Sequence, residues 1–268
     1  MTRPVRWVVG LLVLPSVLWA DGMSGQFTLR LKAGDAWGGA SRRDVEKVLH
    51  SAAQPLLQHF PGRDLAPVEV RSKGGPIVWY KRGASDGAYT VCLDVGGTFW
   101  SQYAYQFSHE LCHILCRYRQ GKNANKWFEE AVCEMASLYS LRRMGETWKT
   151  KAPYPNWKSY SGSLTKYAQD LIDKTEVPPA GLGAWYEGEK EALRAKAELR
   201  DKNRVLAVTL LPQFEANPGW WESLTYLNRF PSSADQSLEA YLQQWHRATP
   251  AHLQAAPAAV LKAFGLAP

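Results

Sequence analysis

The chain has 268 residues and a formal net charge of +7, with 46% hydrophobic and 21% charged residues. That balance excludes a disordered, collagen-like or coiled-coil protein, and the length is enough to bury a large core. The basic residues are dispersed, as in Arg42-Arg43, Lys81-Arg82 and Arg142-Arg143, with no basic block interleaved with aromatics. No nucleic-acid partner is expected.

Met1–Arg6 is short and basic, and Trp7–Ala20 is an uncharged apolar run interrupted by Pro15. Residues 1–20 therefore read as a secretory signal peptide cleaved after Ala20, too short to span a bilayer. The expected destination is the periplasm or the extracellular space, with no stable membrane insertion after cleavage. Gln26–Lys32 alternates as a strand does, and Ser41 is placed to cap a helix over Arg42–Phe60 with an apolar stripe at Val45, Val48, Leu49, Ala52, Leu56 and Leu57. Strands are expected at Val68–Arg71, Ile77–Lys81 and Ala88–Val95. From Trp100 the period turns helical, with helices expected at 101–118, 125–143, 163–174, 187–213, 219–229, 235–247 and 251–264. The segment Gly145–Ser163 is the one long irregular connection expected. The layout is α+β: a small sheet packed on an active-site helix, then a mainly helical C-terminal part. After residues 1–20, residues 21–145 would hold the sheet and two metal-binding helices, and residues 146–268 would complete the cleft.

Within Phe107–Tyr118 lies His109-Glu110-Leu111-Cys112-His113. On a helix, positions i and i+4 share a face, so both imidazoles reach one cation, and Glu110 stands beside the first ligand to take a proton from water. The flanking Tyr103, Tyr105, Phe107, Leu111, Ile114 and Leu115 are apolar, so the helix is expected to be buried. Two imidazoles and a carboxylate on such a helix are costly to bury without a partner, and a metal provides one. A catalytic zinc takes three protein ligands and leaves a position open. A metzincin motif would continue with glycine at position 116 and histidine at position 119; Cys116 and Arg119 stand there instead. No Asp occurs between Asp94 and Asp170. A second expected helix, beyond a short turn, carries Lys126-Trp127-Phe128-Glu129-Glu130-Ala131-Val132-Cys133-Glu134.

With these residues the chain resembles the gluzincin metallopeptidases, the thermolysin-like and aminopeptidase-N-like group, over about Ala88 to Leu141. The resemblance makes His109, His113 and Glu130 the ligands of one Zn2+ per chain and Glu110 the general base. Glu129, its neighbour, is the alternative ligand. Glu134 would match the carboxylate that orients a ligand histidine. Thr90–Val95 looks like the family's strand beside the active-site helix, whose exposed edge pairs with an extended substrate. A later Tyr or His often steadies the oxyanion in this group, and Tyr160, Tyr226 and His246 are the candidates.

The expected function is an exported zinc-dependent hydrolase acting on a peptide or protein substrate. The alternative is an inactive zinc-binding relative serving as a peptide- or envelope-binding module. Export and an even count of cysteines favour disulfides, with Cys112–Cys133 and Cys116–Cys92 the pairing that helix geometry favours. The other readings are four buried thiols filling space, and a zinc-binding thiolate at Cys116.

Overall fold

The structure, a computed structural model, describes residues 27–268. The expected signal peptide and the start of the Gln26–Lys32 strand lie outside them. The chain is α+β, as its patterning implies. β1 (Leu29–Leu31), α1 (Arg42–Leu57), β2 (Val68–Arg71), β3 (Ile77–Val78) and β4 (Tyr89–Cys92) come first, followed by helices to the end.

The sheet runs in the order β1-β2-β4-β3. β1, β2 and β4 are parallel, with Leu31 opposite Val70 and Val70 opposite Val91. Parallel neighbours need a crossover, which α1 supplies between β1 and β2. Its N-cap is Ser41, whose Oγ accepts the Asp44 N–H at 3.1 Å, and Val45, Val48, Leu49, Ala52 and Leu56 are fully buried. β3 alone runs antiparallel, pairing Ile77 with Cys92 and Val78 with Val91, and it forms the sheet edge. The strand expected at Ala88–Val95 is thus interior, between β2 and β3. Hydrogen bonding on both sides leaves β4 without the exposed edge expected of it; the sheet's edges are β1 and β3.

α2 (Trp100–Leu115) packs against α1 and against α3 (Lys126–Lys151). α3 is buried on every side from Trp127 to Leu141, because α1, α2, α4 (Ser161–Asp173) and α6 (Arg200–Ala216) surround it. A helix enclosed in this way needs no polar face, which is why its sequence lacks a stripe. It also runs through residue 145, so the boundary expected there falls inside one helix. At Gly145 a Cβ would lie 2.3 Å from Thr165 Oγ1 and 3.2 Å from Ser161 O, so glycine is what lets α3 and α4 approach.

The helix expected over 187–213 is two helices, α5 (Gly181–Ala195) and α6, separated by an extended Lys196. Pro218–Tyr226 is a 3-10 turn rather than the expected α-helix; its Trp221 ring packs on Phe214 and Tyr139. α7 (Leu238–Ala248) and α8 (Ala255–Ala263) close the chain. One hydrophobic core joins Val48 and Val70 to Trp148, Trp245 and Leu261. Among the described residues no helix is long and apolar enough to cross a membrane.

Candidate metal centre

Positions 109, 112, 113 and 116 share the face of α2 that meets α3. His109 and His113 stack edge to face with ring centroids 5.0 Å apart. Glu130, on the first turns of α3, places one oxygen, Oε2, 3.2 Å from His109 Nε2 and 3.5 Å from His113 Nε2. These separations can be set against a metal. A tetrahedral zinc with bonds of about 2.0–2.1 Å puts its N and O donors about 3.3–3.4 Å apart. The two separations on Glu130 fall near that spacing, so its carboxylate sits between the two sequence-predicted histidine ligands.

A second combination is also close. Ligand atoms of His109, His113 and Cys133 all lie within 4.8 Å of one another, and this group could hold a metal ion. Cys133 is fully buried and does not line the cleft, whereas Glu130 does.

The orientation of His113 comes from Glu129. Its Oε1 lies 2.5 Å from His113 Nδ1, and its Oε2 accepts from Asn228 Nδ2 at 2.8 Å. Asn228 also bonds the Cys116 carbonyl at 3.1 Å, and its own Oδ1 accepts from Tyr241 at 3.2 Å. A carboxylate facing Nδ1 fixes the proton on that nitrogen and turns the Nε2 lone pair toward Glu130, as the outer partner of a metal-binding histidine does. Glu134, expected in this role, instead takes hydrogen bonds from Tyr105 and from Arg204 Nε, the latter at 2.8 Å. One turn of α3 beyond Glu130, it is aimed at α6 and the middle of α2 rather than at the histidines.

Electrostatics follow the same pairing. Burial opposes ionisation of Glu130, yet His113 and His109 hold its carboxyl well below the ordinary range. Burial likewise works against a charged His113, and Glu130 and Glu129 overcome it, raising that imidazole well above its usual value.

The histidines form the floor of a cleft of about 170 Å3. Glu110 is 4% exposed and opens onto it beside them. β3 overhangs with Ile77 and Val78, and Tyr80, Tyr118 and Lys126 close one end. The lining also includes Glu198 from the α5–α6 break and Arg200 and Asn203 from the start of α6. Tyr118 had no place in the sequence-level reading. Burial, with Tyr89 next and Glu110 further off, raises its phenol well above the usual value. Tyr160, Tyr226 and His246 are absent from the lining; Tyr160 hydrogen-bonds Ser101 at the start of α2 instead.

The four cysteines are free and buried. Cys112 and Cys116 lie on the same face of α2, with sulfurs 3.9 Å apart, and Cys133 adjoins them. The expected disulfides are not formed. Burial pushes the Cys116 and Cys133 thiols well up, so they are held as neutral, small apolar groups. Cys116 is not among the cleft residues.

No family model and no curated protein matches this chain.

Proposed function

We propose that the protein is a zinc-dependent peptidase, with His109, His113 and Glu130 as ligands and Glu110 as general base. The observation that carries the reading is a Glu130 carboxylate oxygen set 3.2 Å and 3.5 Å from the two imidazoles in a cleft that Glu110 shares. Zinc held there would supply a Lewis acid that acidifies water and polarises a carbonyl. Glu110 takes the proton of the attacking water and returns it to the leaving nitrogen. Glu129 and Asn228 keep His113 in the donor tautomer. The edge of β3 offers an extended peptide a strand to lie against. Glu130 makes the better third ligand than Cys133, because a carboxylate on the cleft side leaves the remaining position facing substrate. The reading extends to export through residues 1–20 and to peptides or proteins met outside the cytoplasm.

Mass spectrometry of the purified protein is expected to find one zinc per chain. Glu130→Ala should lose it, Cys133→Ala should keep it, and the reverse order would transfer the third ligand to the thiol. Glu110→Gln should retain zinc while hydrolysis of a broad peptide library falls about 10²–10⁴-fold. Undiminished turnover in Glu110→Gln would sink the mechanism. Stoichiometric zinc with no hydrolysis by the unaltered protein would favour the binding-module alternative.

A further inference from the structure

A second recess adjoins the cleft at its Lys126 end. Its volume is about 360 Å3, and Lys126 and Glu129 line both cavities. The loop between α2 and α3 and the chain from Asn228 to Ser232 build it. Its charge is one-sided. From Leu111 to Phe128 the chain carries Arg117, Arg119, Lys122 and Lys126 and neither Asp nor Glu, and Ser223 to Ala234 likewise holds no acid. Arg119, Lys122 and Lys126 line the recess. Glu129, the one carboxylate in that lining, is 3% exposed and already faces His113 and Asn228.

The three cations use little of their donor capacity. Arg119 donates from Nε to Asn228 O at 2.7 Å and from Nη2 to Arg229 O at 2.9 Å. These take two of its five N–H groups, and both acceptors are neutral carbonyls, which fix the guanidinium without neutralising it. Lys126 Nζ donates to Tyr80 Oη at 2.7 Å and keeps two hydrogens. Lys122 is exposed and bonds to no side chain among the described residues. None of the three forms an ion pair among the described residues. The positive end of the 26-residue α3 adds to their field, since its N-cap, Asn125, makes no side-chain cap bond. Phe230, 48% exposed, supplies apolar surface in the same lining.

We propose that this recess sets the substrate class by receiving a carboxylate of the peptide, an Asp or Glu side chain or a free C-terminus, on one side of the scissile bond. The inference rests on the peptidase reading and names acidic peptides as its substrates. A recess lined by one sign of charge focuses the field and gathers the opposite charge. The free N–H groups of Arg119, Lys122 and Lys126 are donors only, so they suit an acceptor-only carboxylate. The ligand is a peptide rather than an anionic membrane, because the cations line a concavity that continues the cleft, which a flat bilayer surface does not enter.

The test compares zinc-loaded wild type, Lys122→Glu and Arg119→Gln, with melting temperatures as a check on folding. Each cleaves quenched peptides carrying Glu, Gln or Lys at successive positions on either side of the cleaved bond, with free or amidated C-termini. Zinc-loaded Glu110→Gln, with and without Lys122→Glu, is titrated with the best Glu peptide and its Gln counterpart by fluorescence anisotropy, and with phosphatidylglycerol vesicles by co-sedimentation. Wild type should prefer Glu to Gln about tenfold in kcat/KM on one side of the bond, chiefly through KM, and less as salt rises. Lys122→Glu should abolish that preference while cleaving Gln peptides as wild type does. Arg119→Gln, which keeps an amide donor for the Asn228 carbonyl, should weaken it about two- to fivefold. A preference that survives amidation assigns the recess to side chains, and one that amidation removes assigns it to the C-terminus. Equal cleavage of Glu and Gln peptides, or a folded Lys122→Glu with the preference intact, would overturn the role of the recess and leave the peptidase reading standing. Vesicle binding without a preference for the Glu peptide would overturn it in favour of a membrane surface. A wild type that cleaves no peptide would overturn the peptidase reading, and equal anisotropy for the Glu and Gln peptides would overturn the recess independently of turnover.

Discussion

The α2–α3 pair and the break between α5 and α6 both place charged side chains on the cleft, but they hold them differently. Around the histidines each polar group is committed: His113 to Glu129, Glu129 to Asn228, Asn228 to Tyr241, Glu134 to Tyr105 and Arg204. The partners come from four helices and a loop, and all but Arg204 are buried. Elsewhere in the lining, Glu198 and Arg200 are exposed, and the buried Asn203 Oδ1 has no partner among the described residues. A centre that must hold ligand atoms to a few tenths of an ångström is built from interlocked groups. On the proposed function, a wall that would meet varied side chains of a substrate does not need that fixity.

The sharpest way to break this contrast is at the seam between the two regions, where Arg204 of α6 ties down Glu134 of α3. The Glu134 side chain is 3% exposed and that of Arg204 13%. Arg204→Met would leave a buried carboxylate with only the Tyr105 hydroxyl, a loss of about 3–5 kcal/mol. Arg204→Met combined with Glu134→Gln should recover much of it, because removing both charges removes the unpaired one. Denaturant unfolding of the two variants measures this, and a single variant within about 1 kcal/mol of wild type would show that the pair contributes little.

A smaller effect is expected one step back from the proposed metal ligands. Asn228→Ala leaves the ligands intact but frees Glu129 to turn away from His113. Loss of such an outer partner typically costs about 10–100-fold in metal affinity, and competition with a chromogenic chelator would read it. Unchanged zinc affinity would mean that packing alone orients the imidazole.

What the sequence revealed divides along the same line. His109, Glu110 and His113 were legible because four residues make one helical turn and the apolar flanks imply burial. That Glu130 lies beside them was legible from its resemblance to a known ligand position. The choice between Glu129 and Glu134 as the group behind His113 was not, since it depends on how α3 is rotated against α2. Asn228 stands 112 positions from Cys116, whose carbonyl it bonds, and no local pattern marks it. The α5–α6 break escaped because Ala195-Lys196-Ala197-Glu198-Leu199 contains no proline or glycine and continues the helical period. The order of the strands escaped as well: strands of two to four residues carry too little pattern to show which of them ends at an edge.

The exposed wall should give the smallest effects on stability and the most selective effects on turnover. Neither Glu198 nor Arg200 is hydrogen-bonded to another side chain among the described residues, so Glu198→Gln and Arg200→Gln should each change stability by no more than about 0.5 kcal/mol. Their consequence lies in binding. An exposed ion pair with a substrate side chain is worth about 0.2–1 kcal/mol, up to about fivefold in KM. Arg200→Gln should therefore raise KM for peptides with acidic side chains and spare basic ones, and Glu198→Gln should do the reverse. In both, kcat should hold, because an exposed side chain on this wall interacts equally with ground and transition states. These shifts should fade as salt rises, since solvent-exposed charges are screened. A fall in kcat at constant KM would show instead that this wall belongs to the fixed centre, and would remove the distinction between the two regions.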